Sequence, residues 1–247
     1  MRVGQAALLG ALHGPAELLP VSSSAHVALV PRLLRWSYDE LPGDVRKSFE
    51  VALHGGTLIG LLALVPRPPA AFLALATLPP AVAGLVFEQP IEARLGGTRG
   101  IAAGLVLGSA AMLAADAVGA RDRTDPAQAT ARDALALGVA QALALVPGTS
   151  RLGLGVAAAR LRGFDRDAAF ALARGAGLPV VAGATALKSV RLARRGLARE
   201  LRAPFAVGAA AALASTLAAA PLRRATCVAA PAAERVALAA LALRRGQ

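Results

Sequence analysis

The sequence holds one cysteine, Cys227, so neither an intramolecular disulfide nor a cysteine cage for a metal is open to it. Aromatic residues make up only 3% of the chain. That leaves little with which to stack bases, and nucleic acid is excluded as a partner even though the net charge is +12. Charged residues are scarce as well, 17% against 56% hydrophobic. They are missing altogether from 204 to 222, whereas a helix of a soluble bundle carries charge along one face. The Met-Arg-Val-Gly start runs into polar residues with no small-residue cleavage site, so no cleavable signal is expected there.

The apolar residues are gathered in blocks. Runs at 70–87, 101–115 and 203–222 approach or reach the ~20 residues that cross ~30 Å of hydrocarbon, which points to an all-α polytopic membrane protein. Lysine and arginine fall between the blocks, where they set topology and meet anionic headgroups.

Residues 10–31 stand apart, because an apolar stretch there carries Glu17, Ser22, Ser23, Ser24 and His26, interrupted by Gly14, Pro15 and Pro20. The arms 2–12 and 18–30 are each too short to span, and a hairpin that dips in and returns fits them better. The block from Gly138 repeats the pattern: Pro147-Gly-Thr-Ser falls on Pro20-Val-Ser-Ser, 127 residues earlier. The expected organisation is one integral membrane domain of two repeats. Residues 1–120 hold a re-entrant hairpin at 2–30 and spans at about 49–65, 70–87 and 100–119. Residues 121–247 hold a hairpin at 134–160 and spans at about 167–187, 203–222 and 225–243. Three crossings per half make the repeat inverted, with both polar breaks meeting near the midplane. Gly100, Gly104 and Gly108 form a stripe that admits a neighbouring helix. With the loop holding Lys188 to Arg202 cytoplasmic, fifteen Lys/Arg lie inside and eight outside, which puts both termini in the cytoplasm.

An ionisable group in a membrane segment costs at least ~2.5–3.5 kcal/mol and needs a partner or a wet cavity. Glu17 and His26 in one hairpin and Arg151 in the other supply a carboxylate, a proton shuttle and an anion clamp. Ser22 to Ser24, Gly148, Thr149 and Ser150 stand at what read as helix starts, where phosphate binds well. This is the inventory of phosphoryl chemistry. Each serine taken alone is more often a backbone-bonding residue than a nucleophile. His13 and His54 serve equally well as ligands or as donors to a neighbouring carbonyl, and Glu50 reads as a first-turn dipole residue or a further metal ligand. Arg174 is expected to pair or snorkel.

The stretch from Glu17 to His26, Glu-Leu-Leu-Pro-Val-Ser-Ser-Ser-Ala-His, resembles the first motif of the undecaprenyl-diphosphate phosphatase family, the bacitracin-resistance membrane proteins. Gln141 to Arg151, ending Pro-Gly-Thr-Ser-Arg, is similar to its second, and Phe49 to Leu58 to a segment between them. The likeness covers roughly residues 1 to 190. It implies inverted repeats with two re-entrant hairpins, and hydrolysis of a polyprenyl diphosphate lipid to its monophosphate and inorganic phosphate. The implied setting is the bacterial plasma membrane, recycling the carrier for envelope polymers, and the implied cofactor is a divalent cation, Mg²⁺ or Ca²⁺. On that resemblance Glu17, His26, Ser23, Ser24 and Arg151 are catalytic. Ser22, Gly148, Thr149 and Ser150 bind substrate, and Glu17 with His13 and Glu50 are candidate metal ligands. The nucleophile is Ser23, Ser24 or a water. His13 stands where the family commonly has Glu or Gln, Ala25 replaces a Gly, and Leu152 replaces a Ser. The bilayer and the lipid are the expected partners, and a homodimer is compatible with the pattern. The rival reading is a transporter or flippase of an anionic lipid phosphate, which would need no proton shuttle.

Overall fold

The first arm of the second hairpin already ends at Leu143, four residues short of Pro147, but Pro20 stops the first arm of the first hairpin, because the residue before a proline is driven out of the helical region. Leu19 is accordingly extended, at φ −110° and ψ 151°. The computed structural model describes residues 1–119 and 121–245. Ala120, where the expected boundary between repeats falls, and Gly246 and Gln247 at the end of the second repeat lie outside the described residues, as does the side chain of Arg195.

The first hairpin is α1 (Val3–Leu18) and α2 (Ser23–Leu33), followed by α3 (Gly43–Leu64), α4 (Ala70–Leu95) and α5 (Thr98–Val118). The second is α6 (Ala131–Leu143) and α7 (Arg151–Leu161), followed by α8 (Arg166–Arg195), α9 (Arg199–Ala218) and α10 (Ala229–Arg245). The chain is all-helical. Helix α1 runs straight through Gly14-Pro15, where an interruption was expected, so the first arm reaches Leu18 and the break shrinks to residues 19–22. Four helices, α4, α5, α8 and α9, are long and apolar enough to cross a membrane. The two other expected spans fall outside that group: α3 begins among Asp44, Arg46, Lys47 and Glu50, and α10 is 17 residues long with Glu234 and Arg235 inside it.

Packing partners repeat when the halves are exchanged. Helix α9 lies against α1 and α3 just as α4 lies against α6 and α8, while α5 meets α10 and α3 meets α8. Glycines make the first two contacts close. A Cβ on Gly10 would sit 2.3 Å from the Gly208 carbonyl of α9, and one on Gly138 would sit 2.9 Å from the Ala76 carbonyl of α4.

The glycine stripe of α5 receives something other than a helix. A Cβ on Gly104 would stand 2.0 Å from the Pro147 carbonyl, and one on Gly108 2.5 Å from the Thr149 carbonyl, so the stripe holds the break of the second hairpin. Gly104→Val should therefore lower stability by ~3 kcal/mol or more, the upper end for overpacking, since backbone rather than a movable side chain fills the space. Thermal unfolding in detergent measures it; an unchanged midpoint would refute the packing.

Away from the polar breaks of the hairpins, the ion pairs among the described residues fall into two groups of loops and helix ends. Lys47 bridges Glu50 and Glu92, Lys188 meets Glu88, and Arg32 and Arg46 share Asp39. In the other group Arg123 and Arg162 hold the buried Asp133, while Arg160 and Arg166 hold Asp116.

Candidate active site

Each hairpin turns on a serine with left-handed backbone, Ser22 at φ 71° and Ser150 at φ 67°. Such a conformation costs a non-glycine residue ~1–3 kcal/mol and persists where the surroundings enforce it. The repeat is therefore one residue out of the register that prolines and hydroxyls suggest. Ser22, not Ser23, occupies the place of Ser150, and Ser23 opens α2 as Arg151 opens α7. The two lengths differ because the chain takes two steps from Pro20 to the turning serine and three from Pro147.

That correction brings the chemistry together. Ser23 Oγ donates a short hydrogen bond to Glu17 Oε1, and Arg151 Nη2 donates to Glu17 Oε2 at 2.7 Å. The carboxylate from α1 is thus held between the first residues of α2 and α7, one from each repeat. Glu17 and Ser23 are buried. Both line a cavity of about 700 Å³, along with Ser22, Ser24, Gly148, Ser150, Arg151 and His54. Helices α4 and α8 line it with an apolar stretch of Pro80, Ala81, Leu85, Val180, Ala184 and Leu187 that ends in the charged Glu88, Glu92, Lys188 and Arg191. Outside that stretch α4 exposes Leu78, Val82, Val86 and Phe87.

The starts of α2 and α7 differ. Ser150 Oγ accepts from the Gly153 N–H at 3.1 Å and so caps α7, whereas no side chain caps α2. The amides at the start of α2 carry the partial positive charge of a helix N-terminus. Thr149, expected to bind substrate, turns its hydroxyl to the Val146 carbonyl at 2.7 Å. Ser24 reaches only Ser22, at 3.5 Å.

His26 is not among the residues lining the cavity. Its Nδ1 lies 2.9 Å from the Ser22 carbonyl and its Nε2 2.9 Å from Glu234 of α10. A carbonyl only accepts, so Nδ1 carries a proton and the second proton is shared between Nε2 and the carboxyl group.

Glu50 turns away from the expected metal cluster to Lys47, 3.2 Å away, because an ammonium one turn back offers a full charge. His54 takes its place. His13 Nδ1 or Nε2, a Glu17 oxygen and a His54 nitrogen all fall within 4.8 Å of one another. His13 is fully buried with no hydrogen bond to either nitrogen, its ring edge-on to His54 at 4.6 Å. An unsatisfied buried polar group costs ~1–3 kcal/mol.

Two arginines, the buried Arg235 and the half-buried Arg174, tie backbone carbonyls at or next to the breaks. Arg235 of α10 is wholly buried and donates to the Gly148 and Thr149 carbonyls at 2.9 Å, with longer contacts of 3.3 Å to Pro20 and 3.4 Å to Gly104. Arg174 of α8 donates to the carbonyls of Leu18, Arg223 and Ala225 at 3.1, 2.6 and 2.8 Å. Sequence reasoning assigned no role to Glu234 or Arg235. The available signal was an adjacent pair of opposite charges inside the last apolar block.

A family model described as bacitracin resistance protein BacA matches residues 6–68 and 66–224. The undecaprenyl-diphosphatase of Geobacter sulfurreducens is 38% identical over 237 residues, covering 85% of this chain and 84% of that protein. Its namesake in Geobacter metallireducens is 35% identical over 227 residues, with 82% and 81% covered, and that in Moorella thermoacetica 35% over 206, with 76% of each. The family match stops short of α10, so Glu234 and Arg235 lie beyond it.

Proposed function

Since the chain belongs to the bacitracin-resistance protein BacA family, we infer that it is a membrane hydrolase which removes the terminal phosphate of undecaprenyl diphosphate. The relatives' shared name favours hydrolysis over transport of the intact lipid. The observation that carries the reading at this site is the Ser23–Glu17–Arg151 arrangement, a hydroxyl and a guanidinium on the two oxygens of one buried carboxylate.

The incoming terminal phosphate takes Arg151 from Glu17, since a guanidinium fork binds phosphate oxygens in the way it binds a carboxylate. The uncapped amides of α2 share the remaining charge. Glu17, relieved of its cation, is free to take the proton of Ser23, or of a water in its place, as attack on phosphorus begins. The bond from phosphorus to the bridging oxygen breaks and the lipid monophosphate leaves. Where Ser23 attacks, a water then cleaves the phosphoserine to give inorganic phosphate. His26, outside the cavity, holds the Ser22 turn through its carbonyl, with Glu234 behind it. The prenyl tail lies along the apolar wall of α4 and α8. Orientation with both termini in the cytoplasm of a plasma-membrane protein is supported by the Lys/Arg distribution. A homodimer is compatible with the apolar side chains exposed along α4.

The Mg²⁺ or Ca²⁺ that the resemblance implies fits this donor set poorly. Ca²⁺ takes six to eight oxygen ligands, and Mg²⁺ would use Glu17 and leave both imidazoles idle. No step is routed through such an ion.

Hydrolysis is tested by phosphate release from purified protein in detergent, on undecaprenyl and shorter prenyl diphosphates, with and without chelator. Absence of release with every divalent metal would return the transport reading. Among the serines, Ser23→Ala should cost about 100-fold in turnover, as expected when a proton-transfer partner is removed. Ser24→Ala should stay within about 5-fold, because no base touches it. Equal losses in the two variants would dissolve the distinction.

A further inference from the structure

We propose that His13, Glu17 and His54 form a binding site for a transition-series divalent cation of the Zn²⁺ or Co²⁺ kind, in preference to Mg²⁺ or Ca²⁺. The proposal rests on the reading of this cavity as the hydrolytic site, and concerns which ion the site holds.

His54 Nδ1 lies 2.8 Å from the Glu50 carbonyl, which only accepts, so Nδ1 carries the hydrogen and the neutral ring presents the lone pair of Nε2. That Nε2 lies 3.5 Å from Glu17 Oε1. A lone pair facing a carboxylate oxygen at that distance is repelled by it, and a proton or a metal ion between them relieves the clash. His13 adds a third donor, wholly buried, with neither ring nitrogen bonded to anything. A histidine that gives its far nitrogen to a backbone carbonyl and keeps the near one bare has the supporting bond seen behind metal-ligating imidazoles.

The donor types select the metal. Two imidazoles and one carboxylate are the three-ligand set of catalytic zinc centres, which leave a coordination position open to a water or substrate oxygen. Imidazole suits Zn²⁺ and the late transition-series ions near it and does little for the hard, oxygen-seeking Mg²⁺, Ca²⁺ and Mn²⁺. Glu17 remains able to serve, since Oε1 has a second lone pair beyond the one that Ser23 uses, while Arg151 stays on Oε2. The three donors come from two neighbouring helices, α1 and α3, so closing from their present spread of 4.8 Å onto one ion needs only side-chain rotation.

The test reads binding without substrate. Protein freed of its affinity tag and stripped of metal is dialysed against Zn²⁺, Co²⁺ or Mg²⁺ and its metal content measured, with visible absorption recorded for Co²⁺. One equivalent of Zn²⁺ or Co²⁺ per chain is expected, held at least ~100-fold more tightly than Mg²⁺ or Ca²⁺, with a Co²⁺ spectrum of a nitrogen-containing site of low coordination number. His54→Gln and His13→Ala should each weaken it ~100-fold. His13→Glu, which keeps three donors, should hold its fold and move the preference toward Mg²⁺. Binding of Zn²⁺ that is unchanged in these variants, or Mg²⁺ competing on equal terms, overturns the proposal. Phosphate release is assayed separately with each ion. Release driven by Mg²⁺ without transition-metal binding would remove the metal assignment and leave the hydrolase, and metal binding without release would do the reverse.

Discussion

Arg151→Ala is expected to lower phosphate release from undecaprenyl diphosphate by about 10²–10³-fold, the range for removing one preorganised charge-stabilising donor. Arg151 is the guanidinium bonded to the carboxylate that also holds Ser23, and it is the first residue of α7. Its removal takes away the phosphate clamp and also strands Glu17 as a buried carboxylate without its cation. The second consequence destabilises, so the variant needs a companion. Arg151→Ala combined with Glu17→Gln should regain stability and stay inactive. Arg151→Lys should fall between, since an ammonium supplies the charge without the planar fork. A well-folded Arg151→Ala with near-normal turnover would sink the assignment.

The largest effect on stability is expected from Arg235→Met. Two hydrogen bonds of 2.9 Å from one charged guanidinium hold the Gly148 and Thr149 carbonyls, and a bond to a charged group contributes ~1.5–3 kcal/mol. With the contacts to Pro20 and Gly104 also lost, the variant should be destabilised by ~3–6 kcal/mol. Those carbonyls belong to both breaks, so activity should fall along with the unfolding midpoint. Arg235→Lys should recover part of the stability, because an ammonium reaches one break and not both. Thermal unfolding in detergent decides: a midpoint for Arg235→Met within a degree or two of the parent would show the guanidinium to be dispensable.

Much of the site was legible in the sequence because membrane insertion makes polar residues conspicuous. Glu17, Ser23 and Arg151 were expected to meet, and the structure puts hydroxyl and guanidinium on one carboxylate. His54 was legible only as an even choice between ligand and carbonyl donor; its Nδ1 is on the Glu50 carbonyl and its Nε2 lies toward Glu17. Arg235 was hidden for a different reason. Its partners are backbone carbonyls, which every residue possesses, so no pairing of residue types announces them. The offset between the repeats was invisible because similar side chains were matched while the fold repeats a backbone angle, shared by Ser22 and Ser150. The six expected spans became four apolar helices long enough to cross because charge near the start of α3 and within α10 dilutes two of the blocks.

The exchange of partners between the halves bears on how the protein is made. Helix α1 buries Gly10 and Gly14 against α9, and α3 buries Gly56 there too. On a ribosome, α9 leaves roughly 190 residues after α1. Until then the glycine faces of the first repeat have nothing to close on, and α4 likewise waits for α6 and α8. Neither repeat can mature alone. The carboxylate on α1 stays without its guanidinium until α7 has entered, and the clamp on the breaks arrives last of all, with α10.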